Sequence, residues 1–175
     1  MKFGSDYKKM MGIEYKFGIG TLARMCVYHH LRFMWWWRRY ENKKSKLIRL
    51  ILVSYSHKYG LEISTDAIIG ECFYLGHPYN ITVGGGVELG HHVSLHKGVT
   101  IGRENRGIRM GSPKIGNYVW VGMNSTIVGN VTIGNDVLIA PNSFVNFDVP
   151  DHSVVIGNPA IIHYREGATE NYIGE

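Results

Sequence analysis

Residues 115–134, IGNYVWVGMNSTIVGNVTIG, carry an aliphatic residue at every sixth position. The same step continues on both sides of this segment. In all, twelve aliphatic residues are spaced by this step of six: Ile69, Leu75, Val83, Leu89, Leu95, Ile101, Ile115, Val121, Ile127, Ile133, Ile139 and Val145. Two insertions interrupt the step, one of two residues before Val83 and one of eight residues before Ile115. An α-helix repeats near 3.6 residues and a strand every two, so a period of six indicates another architecture.

Glycine follows eight of the twelve aliphatic residues: Gly70, Gly76, Gly84, Gly90, Gly102, Gly116, Gly122 and Gly134. Glycine tolerates positive φ, so we expect a tight corner at each of these positions. Three hexads of strand and corner close one triangular coil, and the whole run makes about four coils. The sequence therefore predicts an all-β parallel β-helix. A β-sandwich is the less favoured alternative, because no hairpin signal such as Asn-Gly recurs between the strands.

The chain of 175 residues divides into a helical segment 1–60, the repeat region 61–165 and a tail 166–175. Apolar residues of the first segment fall at helical spacing, and a second helix is predicted over residues 47–59, ending at Gly60. The tail is polar, and we expect it to be loose. This organisation corresponds to one domain with a helical appendage.

Composition argues against several classes of protein. The net charge is +5, but much of the positive excess lies in the helical segment and the repeat region has no basic stripe, which disfavours nucleic-acid binding. Cys26 and Cys72 match no metal-ligand spacing, and neither do His91 and His92, so no metal is expected. Two isolated cysteines, and no unbroken apolar stretch in the first twenty residues, favour a reducing, cytoplasmic location.

Residues 33–39, FMWWWRR, are aromatic and then basic. Three interpretations fit this segment: a helical cap over the first coil, a contact between subunits, or a peripheral anchor at the inner membrane surface. In the last case tryptophan would lie at the interface and arginine would meet anionic headgroups. A membrane-spanning helix is not expected, because charges interrupt every apolar stretch before about 18 residues.

The repeat, the segment 115–134 and the closing VIGNPA at 155–160 resemble the left-handed β-helix acyltransferases of the hexapeptide-repeat family. Within that family the similarity is greatest to serine acetyltransferases, and it covers roughly residues 61–165. The resemblance implies acetyl-CoA as the donor, a hydroxyl group as the acceptor, and a homotrimer with its sites between subunits.

Transfer of an acetyl group from a thioester to a hydroxyl needs a base for the hydroxyl proton, and histidine has a suitable pKa. His77 lies in the first interruption and matches the catalytic histidine of the family motif, so it is the predicted base. By the same resemblance the carboxylate that orients it is Glu62, where the family has aspartate. Asp66 is a weaker candidate for that role.

Counting the step in threes places further residues on the corner of His77. Positions three hexads apart stack at a spacing of about 4.8 Å. The corner is expected to continue through His96, Gly122, Met123, Ala140 and Pro141. This column predicts a straight groove for the pantetheine arm of acetyl-CoA. The family resemblance matches Met123 and Pro141 to cofactor contacts and adds Gly102 and Arg103 to them.

The second interruption, residues 103–112, is predicted to form a lid over this groove. Arg103, Arg106 and Arg109 are candidates for binding CoA phosphates or an anionic acceptor, the alternative being solvated loop arginines. His96 and Ser112 complete the candidate set on the acceptor side.

Two positions depart from the serine acetyltransferase motif. That motif has an aspartate immediately before the catalytic histidine, where this chain has Gly76, and a histidine before Pro-Lys-Ile, where this chain has Ser112. An ammonium group without a facing carboxylate would bind poorly. We therefore expect an acceptor other than serine. The resemblance to short members of the family that acetylate sugars implies a hydroxyl of a surface polysaccharide. Serine O-acetylation is the first alternative, and a non-catalytic β-helix scaffold is the second.

Overall fold

The computed structural model describes residues 2–173, in which four helices precede fifteen strands. The helices are α1 (Lys2–Met11), α2 (Ile19–Val27), α3 (His29–Lys43) and α4 (Lys46–Tyr59). The strands are β1 (Leu61–Ile63), β2 (Ile68–Ile69), β3 (Tyr74–Gly76), β4 (Ile81–Val83), β5 (Glu88–Leu89), β6 (Ser94–His96), β7 (Thr100–Gly102), β8 (Lys114–Ile115), β9 (Val119–Val121), β10 (Thr126–Val128), β11 (Thr132–Ile133), β12 (Val137–Ile139), β13 (Phe144–Val145), β14 (Ser153–Gly157) and β15 (Ala160–Tyr164). The helix predicted over 47–59 is α4, and it ends at Gly60, which has a left-handed backbone with φ of 63°.

The strands wind into three sheets that take every third strand as far as β13, which confirms the predicted β-helix. Their orders are β1-β4-β7-β10-β13, β2-β5-β8-β11 and β3-β6-β9-β12-β14-β15. All pairings are parallel except the last, β14 with β15. The twelve aliphatic residues of the six-residue step are each at most 4% exposed. They stack in register, as Leu75 on Leu95 on Val121 on Ile139 illustrates.

The glycines that follow the aliphatic residues serve a different purpose from the one expected. None of the eight has positive φ; left-handed corner positions are held instead by residues such as His92, Tyr118 and Asn124. A Cβ added at Gly90 would lie 2.6 Å from the carbonyl oxygen of Gly116, in the next coil. Glycine is needed there because successive coils approach too closely for a side chain.

The aromatic-basic segment 33–39 is buried in part, on the side of α3 that packs over the first coil. Phe33, Met34, Trp37 and Arg38 are each at most 4% exposed. Arg38 forms a buried ion pair with Asp6 (Nε to Oδ2, 2.7 Å) and also donates to the carbonyl oxygen of Ile69 at 2.9 Å. These contacts support the cap interpretation. Trp35 and Trp36 are partly exposed and Arg39 is exposed, so contact of these three side chains with a membrane surface or another subunit stays a prediction.

The end of the chain is held more firmly than expected. The 166–175 tail was expected to be loose, but Ala168 and Thr169 are buried and their amides both donate to the carboxylate of Asp136. The same carboxylate accepts a 2.8 Å hydrogen bond from Nδ1 of His152. Asp136 thus ties residues 168–169 of the tail to the β-helix, and residues 174–175 lie outside the described range.

Candidate functional site

The corner between the six-stranded and five-stranded sheets carries most of the predicted site residues, and we call it the histidine corner (residues 76–80, 96–98, 122–124 and 140–142). Its levels are joined by backbone hydrogen bonds from Lys97 N to Gly76 O and from Asn124 N to Lys97 O. Gly76 pairs in register with His96. His77 therefore lies level with Lys97, one residue away from the His77-over-His96 stacking that the step predicted.

His77 sits on a tight turn made by the two-residue insertion. It has a left-handed backbone with φ of 50°, which is uncommon for a side chain with a Cβ. Its carbonyl oxygen accepts a 2.7 Å hydrogen bond from the amide of Tyr79. The imidazole is exposed and makes no hydrogen bond within residues 2–173, so it is free to contact a ligand.

A histidine of the helical cap holds this turn in place. Nε2 of His29, the first residue of α3, donates to the carbonyl oxygen of Pro78 at 3.0 Å. The ring of His29 stacks on that of Tyr59 with a centroid distance of 3.9 Å, and it is only 9% exposed. The sequence interpretation gave His29 no functional role, because nothing in the spacing shows that α3 begins beside residue 78.

His96 is oriented by the backbone and covers Gly76. Its Nδ1 donates to the carbonyl oxygen of Val121 at 3.0 Å, which leaves Nε2 as an acceptor in the neutral ring. Burial lowers the pKa of His96 against the opposing effect of the Val121 carbonyl, and the nearby charge of His77 lowers it further. The neutral ring packs against Trp120 with centroids 4.6 Å apart.

Glu62, the predicted partner of His77, lies on the outer side of β1, in register with Thr82 of β4. Its side chain is exposed, and among the described residues its carboxylate makes no hydrogen bond to His77. Asp66 is also exposed, in the loop after β1. The pairing of either carboxylate with His77 remains a prediction.

The predicted cofactor residues fall into two groups. Gly122, Met123, Ala140 and Pro141 lie on the histidine corner, where the coils touch closely: a Cβ on Gly122 would be 2.6 Å from the nitrogen of Pro141. Gly102 and Arg103 lie at the other end of the five-stranded sheet, where β7 finishes. Within one chain the two groups therefore form two separate rims of that sheet.

The loop of residues 103–112 projects from the second rim, away from the histidine corner. Glu104 and Gly111 pair through two backbone hydrogen bonds of 3.0 Å, which make it a hairpin. Arg109 is not free for phosphate, since it forms a 3.0 Å ion pair with Asp148. Ser112 donates to the carbonyl oxygen of Gly85 at 2.9 Å. The lid expected over the histidine corner is therefore not formed within one chain.

Candidate metal ligands do not converge in the part of the chain that the structure describes, where no group of three or more His, Cys, Asp or Glu residues is placed to hold an ion. Nδ1 of His91 accepts a hydrogen bond from the amide of Glu71. The ring of His92 stacks on Tyr118 at 4.6 Å. Both histidines have contacts that belong to the fold.

Known proteins share this architecture. Residues 112–146 match the family model described as bacterial transferase hexapeptide (six repeats). Serine acetyltransferase 2 of Arabidopsis thaliana is 38% identical over 141 residues, 80% of this chain and 44% of that protein. The serine acetyltransferase of Staphylococcus epidermidis is 30% identical over 151 residues, 84% of this chain and 71% of that protein. The crystal structure of the Neisseria gonorrhoeae serine acetyltransferase in complex with serine has a TM-score of 0.73 and 28% identity, covering 93% of this chain and 67% of that one.

Coverage differs among these relatives. The chain spans 44% of the length of the Arabidopsis protein and 59% of a serine acetyltransferase of Staphylococcus xylosus, less than two thirds in both cases. Its coverage of the Staphylococcus epidermidis protein exceeds two thirds, and the coil architecture agrees with the matched family model. The chain therefore belongs to the family of bacterial hexapeptide-repeat transferases, in the group that contains the serine acetyltransferases.

Proposed function

We propose that this protein is an O-acetyltransferase that uses acetyl-CoA as its donor and His77 as its general base. The observation that carries the proposal is the placement of His77, exposed on a turn that interrupts the coil and fixed from behind by His29. An exposed imidazole at the histidine corner, with no hydrogen-bond partner among the described residues, is suited to remove a proton from a bound hydroxyl.

In the proposed reaction the acceptor oxygen attacks the thioester carbonyl carbon while His77 takes the hydroxyl proton. The C–S bond then breaks, and the imidazolium returns the proton to the departing thiolate. The products are an acetyl ester and CoA. Glu62 is the proposed group that would favour the charged imidazolium, as a carboxylate does in other histidine-based sites.

Acetyl-CoA would use both rims of the five-stranded sheet. The pantetheine arm would lie along the histidine corner beside Met123, and Arg103 and Arg106 are the loop arginines without an ion pair among the described residues. Since these two rims are separate in one chain, we propose a homotrimer in which the loop of one subunit approaches the histidine corner of the next. Sedimentation equilibrium would test this assembly.

Serine is the acceptor that the named relatives favour, ahead of the sugar hydroxyl expected from the sequence. One observation supports the sugar hydroxyl as a second candidate. A Cβ on Gly76 would overlap the imidazole of His96, so the space for an aspartate side chain before His77 is filled by that ring. That ring is neutral at pH 7 by the direction of its pKa shift and offers an ammonium group no counter-charge.

The test is release of CoA thiol from acetyl-CoA, measured with serine and with a panel of glycans as acceptors. His77→Ala should lower turnover roughly 100-fold or more, given the usual contribution of a general base. His163→Ala is the matched control, since His163 is exposed on β15 far along the stack. Turnover of serine alone would reject the sugar candidate. Absence of both CoA binding and turnover would leave the scaffold interpretation.

A further inference from the structure

The charge of the molecule is divided between its two parts. Residues 1–61 contain thirteen lysines and arginines and three acids, a formal charge of +10. Residues 62–175 contain six and eleven, a charge of −5. Between residues 15 and 61 the one acid is Glu41, and its carboxylate already pairs with Arg38 at 2.8 Å and with Lys2 at 3.3 Å. The helical layer is therefore a cationic surface.

Helix α2 in this layer turns its apolar stripe outward. The stripe follows the helical spacing i, i+3, i+4, i+7, i+8 and consists of Ile19, Leu22, Ala23, Cys26 and Val27. Ile19 is 88% exposed and Val27 73% exposed, as is Phe17 just before the helix at 81%. The inward side is formed by Thr21, which is buried, and by Arg24, which reaches the hydroxyl of Tyr7. An amphipathic helix normally buries its apolar stripe. Because the stripe of α2 is exposed, it lacks a packing partner within residues 2–173.

An open groove of about 1000 Å³ lies in the same helical layer and reaches Phe17, the exposed residue just before α2. Phe17, Trp35 and Ile48 give it apolar walls, and the exposed side chains of Arg39 and Lys43 line its rim. The guanidinium of Arg39 lies 3.8 Å over the ring of Trp35. An apolar interior beneath cationic side chains has the chemistry of an interfacial lipid site.

We propose that the stripe of α2 and this groove dock the protein on an anionic lipid bilayer. The apolar side chains would enter the acyl-chain boundary, and Arg39 and Lys43 would meet lipid phosphates. A second copy of the chain is the less suitable occupant, because two surfaces of the same strong charge would repel each other. Nucleic acid is also less suitable, since the exposed stripe residues Ile19, Leu22 and Val27 are aliphatic and would be buried against neither phosphates nor bases to advantage. No helix in the described range is long and apolar enough to cross a bilayer, so the contact is a peripheral one.

Co-sedimentation of the full chain with vesicles tests this proposal independently of any transferase activity. Vesicles containing about 30 mol% phosphatidylglycerol in phosphatidylcholine should bind the protein, and binding should fall with added salt. Ile19→Ser/Leu22→Ser should weaken binding about 10-fold through lost apolar contact. Arg39→Gln/Lys43→Gln should weaken it about 10-fold or more, since each surface cation contributes severalfold.

Matched controls come from the β-helix part of the chain. Ile108→Ser/Ile161→Ser removes two exposed aliphatic residues, and Lys114→Gln/Arg165→Gln removes two exposed cations. Neither should change vesicle binding, and circular dichroism should show that every variant is folded. Equal binding to pure phosphatidylcholine, no binding to either vesicle, or loss of binding in the controls would overturn the proposal. If Ile19→Ser/Leu22→Ser abolished self-association of the protein and left vesicle binding unchanged, the stripe would instead be a contact with a second copy of the chain.

Discussion

Nε2 of His29 in the helical cap donates a hydrogen bond to the carbonyl oxygen of Pro78, directly after His77 in the β-helix. This contact links two parts of the molecule that are 49 residues apart in sequence. It means that the orientation of the proposed base depends on the position of α3.

Replacement of His29 should therefore lower turnover without removing any group that touches substrate. His29→Phe keeps the stacking on Tyr59 but loses the donor, and we expect kcat to fall about 10-fold or more, since small displacements of a reacting group are costly. His29→Gln, which retains an N–H donor, should recover part of the rate. Hydrogen exchange at the amides of Tyr79 and Asn80 should rise in His29→Phe.

His57→Phe is the control for that measurement, because His57 is an exposed histidine of α4. If His29→Phe and His57→Phe have equal kcat and equal exchange in the 77–80 turn, His29 does not position the base.

The contact between Gly76 and His96 predicts how the chain would respond to the aspartate of the serine enzymes. Gly76→Asp should destabilise the protein by roughly 1–3 kcal/mol, because the new Cβ overlaps an imidazole held by Val121 and Trp120. His96→Ala should relieve the overlap, so the double variant should be more stable than the sum of the single effects requires.

Urea unfolding followed by circular dichroism measures this coupling, and serine turnover of the double variant measures the change of acceptor. Additive stability changes would show that His96 does not occupy the space beside residue 76.

The buried ion pair of Asp6 and Arg38 predicts a large stability effect. Asp6 is fully buried and accepts from Arg38 and from the amide of Phe73, so Asp6→Asn leaves the buried Arg38 guanidinium with only the partly exposed carboxylate of Glu41 as an ion-pair partner among the described residues. Breaking such a pair costs about 3–5 kcal/mol. The free energy of unfolding in urea should fall by that amount, whereas Lys8→Gln, which breaks an exposed pair with Glu14, should change it by less than about 1 kcal/mol. A loss as small as that of Lys8→Gln would contradict the assigned role of Asp6.

The tail attachment should depend on pH. The hydrogen bond between His152 and Asp136 raises the pKa of His152 above 6.5. The stability that protonated His152 contributes is therefore complete below pH 6.5 and is lost as the pH rises through the raised pKa. Burial opposes ionisation of Asp136, but the Thr169 amide and His152 together bring its pKa below 3.8. Its contribution is therefore present above 3.8 and is lost as pH falls through the lowered value.

Both contributions are present between pH 3.8 and 6.5. Exchange of the Ala168 and Thr169 amides, corrected for intrinsic rates, should be slowest in that window and faster above it. Asp136→Asn should abolish the pH dependence, and a flat profile in the unsubstituted protein would rule out the Asp136–His152 attachment.

The six-residue step predicted the β-helix because burial is local to each hexad: Val121 and Ile139 reveal their stacking by spacing alone. The same step predicted a corner role for Gly90, which was wrong. Gly90 is needed because the next coil approaches closely, and that is a contact between segments that no single hexad describes. The family resemblance joined Gly102 with Met123 as cofactor contacts, and their separation across the five-stranded sheet was not predicted because it depends on where each coil turns.

Helix polarity was harder to predict. The outward stripe of α2 and the inward Trp37 of α3 look alike in sequence, since apolar periodicity shows that a helix has two faces but not which one meets the core. The positioning role of His29 was not predicted for a related reason. Its hydrogen-bond partner is a backbone carbonyl, which carries no sequence signature.

The register of the coils also determines how this chain can change in length. Val121 and Ile139 are eighteen residues apart and are direct partners in adjacent coils. Duplication or loss of one such turn would preserve all three aliphatic columns and every glycine contact, whereas a shorter insertion within a strand would shift them all. Gradual lengthening is confined to the two interruptions, so evolutionary variation in substrate should collect at the turn of His77 and at the 103–112 hairpin, while the body of the molecule varies in whole coils.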